Sequence, residues 1–84
     1  MATILYFARL RETFGVSSEQ IELPANVHDV AGLTDLLRAR GGVWETELTP
    51  GKAFRVAVNQ VMAVANTPVA DTDEIAILPP VTGG

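Results

Sequence analysis

The residues most able to do chemistry stand at the end of the chain, in the stretch LPPVTGG from Leu78 to Gly84. No charged side chain follows Glu74, so uncharged residues alone lead to a main-chain carboxylate. Pro79 and Pro80 fix φ at about −65° and push the residue before each into extended geometry. Val81 and Thr82 extend the segment further, and from Pro79 onward it can reach roughly 20 Å. Gly83 and Gly84 lack a Cβ, so the tip fits a narrow channel and its carbonyl can approach another backbone closely. A carboxylate is an unreactive anion. Activated as an acyl-adenylate with ATP, it becomes an electrophile that sulfur or an amine can capture. A terminal Gly-Gly arises by chance in about one chain in 200, so the pair gains its weight from the prolines and the uncharged run before it.

Other candidates are weaker. His28 stands alone beside the expected start of a helix, and a histidine without a partner is more often a surface or capping group than a catalyst. Asp71, Asp73 and Glu74 lack the glycine and later glutamate of a calcium loop, so they read as a turn. The sequence has no cysteine, which excludes disulfides, thiolate zinc sites and a cysteine nucleophile.

The elements that must position the tail can be read from periodicity. TILYFA (residues 3–8) is rich in β-branched and aromatic residues and predicts a strand. EQIEL (19–23) alternates, with Ile21 and Leu23 on one face, and predicts a second strand closed by Pro24. RLRETFGVSS between them, with Gly15 and a serine pair, suits a hairpin loop. DVAGLTDLLRARGG (29–42) predicts a helix: Val30, Leu33 and Leu37 form an apolar stripe with Leu36 beside them. Asp29 fits its N-cap and Gly41 its C-cap, while Gly32 inside it costs up to ~1 kcal/mol relative to alanine. After a linker whose Trp44 and Leu48 can cover one end of the core come strands at FRVAVN (54–59), VMAVA (61–65) and IAIL (75–78). Asn59-Gln60 is a weak hairpin signal, because glycine is preferred second.

A single helix covers one face of such a sheet. The economical arrangement is α+β: a β-grasp, ubiquitin-like fold in which a mixed sheet of four to five strands wraps around one main helix. Its first and last strands then lie parallel and adjacent. The expected division is one domain over residues 1–78 and an extended, flexible tail over 79–84. Alternation puts Ile4, Tyr6, Ile75 and Ile77 on one face, and Leu5, Phe7, Met62 and Leu78 on the other. If the helix covers the first set, the second is more apolar surface than a soluble monomer usually shows. It is therefore expected to bind a partner, unless the segment around Trp44 folds over it.

Composition narrows the partners. With 84 residues the chain is one domain with a modest core. Ten acidic against six basic residues give a net charge of −4, which argues against nucleic acid, whose phosphates need a clustered basic surface. No apolar run is long enough to span a membrane. The expected location is the cytoplasm.

The segments ILYFARLRETFG, AVNQ, DTDEIAILPP and above all PPVTGG resemble the small subunit of molybdopterin synthase, the MoaD family of sulfur carriers. The resemblance runs from Ile4 to Gly84 and is weakest between Val16 and Lys52. It implies that Gly84 is adenylated by a ubiquitin-activating-type adenylyltransferase, that ATP is consumed by that enzyme, and that sulfur transfer then yields a thiocarboxylate. It implies that the tail enters a pocket of a large catalytic subunit in a heterotetramer and delivers sulfur to cyclic pyranopterin monophosphate. The small subunit is then the sulfur donor and not itself the catalyst, with no bound cofactor or metal of its own. By the same resemblance Phe7, Met62 and Leu78 pack on the large subunit, with Pro79, Pro80, Val81 and Thr82 following them into it, and Arg11 and Lys52 are polar contacts. Tyr6 and Leu78 depart from the family's frequent phenylalanine. Two alternatives stay open: a sulfur carrier for thiamine synthesis, usually shorter than this chain, and a ubiquitin-like modifier conjugated through Gly84.

Overall fold

The computed structural model describes residues 1–49 and 53–79. A five-stranded mixed sheet of order β2-β1-β5-β3-β4 packs one face against the main helix. Its strands are β1 (Ala2–Tyr6), β2 (Ser18–Ile21), β3 (Arg55–Val58), β4 (Val61–Met62) and β5 (Glu74–Leu78). The helices are α1 (Ala8–Phe14), α2 (Val30–Arg38) and α3 (Val43–Glu47). β1 and β5 run parallel at the centre, with Ile4 opposite Ile75 and Tyr6 opposite Ile77. The other pairings are antiparallel. The β-grasp order expected from the sequence is therefore the one observed.

Alternation accounts for the core. Ala2, Ile4 and Tyr6 of β1 and Ile75 and Ile77 of β5 are fully buried, and they meet Val30, Leu33 and Leu37 of α2. Each such aliphatic side chain contributes about 1.5–3 kcal/mol by leaving water. α2 starts where expected: the Asp29 side chain accepts a hydrogen bond from the Gly32 amide at 2.8 Å. The same contact explains the glycine, since a Cβ at position 32 would stand 3.3 Å from Asp29 Oδ1.

Four expectations need correction. The segment between β1 and β2 is not a hairpin loop but the helix α1. Leu10 and Phe14, one turn apart, turn into the core, and Gly15 ends the helix in the left-handed region at φ 75° with its amide bonded to Arg11 O. β1 accordingly stops at Tyr6, because Ala8 has φ 51° and breaks the extended run. α2 is shorter than expected, capped at Ala39, and Gly41, at φ 78°, turns the chain two residues later. β4 holds only Val61–Met62. The weak Asn59-Gln60 signal is correct: both residues have positive φ, 50° and 71°, the sign pattern of a type I′ hairpin turn.

Candidate functional site: the open sheet face and the root of the tail

The face of the sheet away from α2 is built row by row from the strand registers. In the central row Leu5 pairs with Ala76, Ala76 with Ala57 and Ala57 with Met62. One step toward the tail, Leu78 pairs with Arg55. Phe7, whose amide donates to Ile77 O at 3.3 Å, continues β1 in extended geometry beside them. One step the other way, Thr3 pairs with Gln20 and with Glu74. An apolar band thus crosses four strands, with a polar row at one end and the departing chain at the other.

Exposure separates this band from the core, except at Ala57, which is buried. Phe7 is 42 % exposed and Met62 57 %, while Leu5 and Leu78 are half-buried. Val61 and Val64, at the β4 edge, are exposed beside it. The segment around Trp44 does not fold over this face. The Trp44 ring lies on the helix side, stacked on Phe14 at 3.8 Å and edge-on to Tyr6 at 5.4 Å, and Leu48 is fully buried there. Trp44 and Leu48 cap one end of the core, as the sequence suggested.

Beneath that aromatic cap lies the one concentrated charge site among the described residues. Glu19, opposite Ile4 in the β1–β2 register, faces the core side of the sheet. It accepts the Tyr6 hydroxyl at 2.6 Å and both guanidinium nitrogens of Arg40 at 2.8 Å, and Arg40 in turn lies 4.5 Å over the Trp44 ring. The Arg40 hydrogen bonds hold the Glu19 carboxyl below its ordinary range. Burial, then the hydrogen bond to Glu19, pushes the Tyr6 hydroxyl far up. These charge-assisted bonds join Tyr6 of β1, Glu19 of β2 and Arg40 after α2, so the group acts as a clasp between them. The sequence reading left Glu19 unassigned, although it shares the parity of Ile21 and Leu23.

The expected site residues fall into three groups. Phe7, Met62 and Leu78 share the open face, and Pro79, half-buried, follows Leu78. Arg11 is exposed on α1, at the end of the sheet where the tail departs. Lys52, Pro80, Val81, Thr82, Gly83 and Gly84 lie outside the described residues. His28 is exposed, with its carbonyl accepting the Val69 amide. Asp73 caps a turn through the Ala70 amide and the Asn59 side chain, and Asp71 accepts the Leu23 amide. The acidic stretch is indeed a turn, and the described residues contain no group of three or more metal-ligating side chains. No described helix is long and apolar enough to cross a membrane.

Comparison with known proteins agrees with this geometry. The ThiS family model matches residues 4–84. The molybdopterin synthase sulfur carrier subunit of Escherichia coli is 37 % identical over 84 residues, covering all of both chains. A structure of a putative molybdopterin converting factor subunit 1 from Pyrococcus furiosus superposes with TM-score 0.78 at 28 % identity, covering 95 % of this chain and 97 % of that one. The complex of subunits 1 and 2 of the molybdopterin-converting factor from Helicobacter pylori gives 0.64 at 27 %, covering 99 % and 97 %. SAMP1 of Haloferax volcanii gives 0.69 at 26 %, covering 99 % and 98 %.

Proposed function

This chain belongs to the ThiS family, among the sulfur carrier subunits of molybdopterin synthase, and on that premise we propose that Gly84 carries sulfur as a thiocarboxylate. The carboxylate oxygen attacks the α-phosphate of ATP on a ubiquitin-activating-type adenylyltransferase, and pyrophosphate leaves. A sulfur nucleophile then attacks the acyl carbon and AMP departs, so one oxygen is exchanged for sulfur. The loaded tail enters the large subunit and hands its one sulfur to cyclic pyranopterin monophosphate, Gly84 returning to a carboxylate by taking oxygen from water or the precursor, and two such deliveries build the dithiolene. The chain itself supplies no acid, base, metal or cofactor. It contributes a docking face and a thin, uncharged end.

The observation that carries this reading is the continuity of the apolar face with the tail. Leu78 ends the central strand within the band formed by Leu5, Phe7 and Met62, and the next residue is Pro79. A partner seated on the band therefore meets Pro79, the first residue of the tail. Pro80, Val81, Thr82 and Gly83 are assigned to threading, and Arg11 to a polar contact at the rim.

Reconstitution tests it. Thiocarboxylated protein mixed with the large subunit should convert cyclic pyranopterin monophosphate to the dithiolene product, and protein with an ordinary carboxylate should not. The likeness to SAMP1 favours a second reading, a modifier joined through Gly84 to lysines of other proteins. Conjugates in place of the dithiolene product would decide for that reading.

A further inference from the structure

The open face carries charge of opposite sign at its two ends. Arg55 is the β3 residue paired with Leu78, beside the root of the tail. Glu74 is the β5 residue of the same face at the other end, opposite Thr3. Four residues of β5 separate the two rows, about 13 Å at strand rise. Among the described residues neither side chain enters an ion pair. The salt bridges there join Arg9 to Glu47, Arg38 to Asp35 and Arg40 to Glu19. Between the two ends lies the uncharged row of Ser18, Leu5, Ala76, Ala57 and Met62. In a chain of net charge −4, Arg55 is thus an exposed cation with no ion-pair partner among the described residues, on the face where β5 ends.

Apolar burial is not directional. Apolar contact alone says little about which way round a partner sits, yet the tail can enter a pocket in only one orientation. Charge at the two ends supplies the missing direction, because complementary charges fix register and like charges brought together are costly. We propose that Arg55 and Glu74 set the docking polarity of this face, and that the large subunit presents a carboxylate beside the entrance of its tail channel to meet Arg55. This rests on the function proposed above and adds the partner's chemistry to it. A single exposed pair adds little affinity. The effect is therefore expected in the association rate and its salt dependence.

The test is stopped-flow association of the full chain with the large subunit encoded in the same genome, at low and at physiological salt. Arg55→Gln is compared with Asn26→Asp, which changes net charge equally but lies beside α2 on the helix side. Arg55→Gln should slow association about five-fold at low salt, with the difference shrinking as salt rises. Asn26→Asp should change it less than two-fold. Arg55→Lys should restore most of the rate, and unchanged circular dichroism should accompany every variant. Equal rates for Arg55→Gln and Asn26→Asp would overturn the polarity proposal while leaving the carrier function intact. Absence of any association by the unaltered chain would overturn both.

Discussion

On the side of the sheet that faces α2, every large side chain has a partner. Ile4, Leu33, Leu37, Ile75 and Ile77 are fully buried, and the one charged residue turned that way, Glu19, is held by Tyr6 and Arg40 beneath Trp44. On the other side Phe7 and Met62 stand about half in water, with no comparable clasp and with charge only at the ends of the band. The same strands build both sides, and the period of two sends successive residues to different tasks. Stability is concentrated on one face, which leaves the other free for a surface that a monomer alone has no reason to keep.

That division can be broken from either side. Deleting Gly84 should abolish thiocarboxylate formation completely and leave the melting temperature within about 1 °C, because the buried core residues run from Ala2 to Ile77 and a terminal glycine adds no side chain to bury. A parallel activity assay and thermal melt check both halves. Next in size is Leu33→Ala, which opens a cavity under the sheet and should cost 2–5 kcal/mol, of order 10 °C or more in a domain of this size. Its tail should still be loaded with sulfur at temperatures where the fold survives, which activity assays below the melt would show.

Phe7→Asp and Met62→Asp make the opposite test. Each should weaken binding to the large subunit by about 30-fold or more, as a charge placed in an apolar contact, while the melting temperature moves little. Calorimetric titration and circular dichroism measure the two. If the fold is lost instead, these residues belong to the core and the division of faces is wrong.

The smallest effect is expected at the clasp. Glu19 ionises more readily in the fold than its ordinary value of 4.5, so its contribution is complete above that pH and fades as pH falls below it. Glu19→Gln should cost about 1 kcal/mol at neutral pH and flatten the acid limb of a stability–pH curve. A variant with an unchanged acid limb would show that Glu19 is not held as the geometry indicates.

The two faces were also unequally legible in the sequence. The strand alternation of β1 and β5 separates Ile4, Tyr6, Ile75 and Ile77 from Leu5, Phe7 and Leu78 without ambiguity, since a period of two survives errors of a residue or two at the ends. The apolar stripe of α2 and its Asp29 cap were equally plain. What failed was short or contrary to type. In α1, Leu10 and Phe14 carry a one-turn spacing, but Gly15 and the serines after it pointed more strongly to a loop. Ala8 takes a left-handed φ that no propensity for alanine announces. Glu19 was left unassigned because its partners, Tyr6 and Arg40, lie 13 and 21 residues away and nothing local announces them. The tail reading rests on the sequence alone, since residues 80–84 lie outside the described residues, whereas the open face was read from alternation and is observed.

The uncharged end that follows Leu78 is proposed as a carrier of sulfur. Intact mass of the purified chain after incubation with ATP, its adenylyltransferase and a sulfur donor tests it most directly. A sulfur carrier should show a shift equal to one oxygen replaced by sulfur, confined to the C-terminal fragment ending at Gly84. An unchanged mass, with the same enzymes competent on a sulfur carrier of known activity, would contradict it.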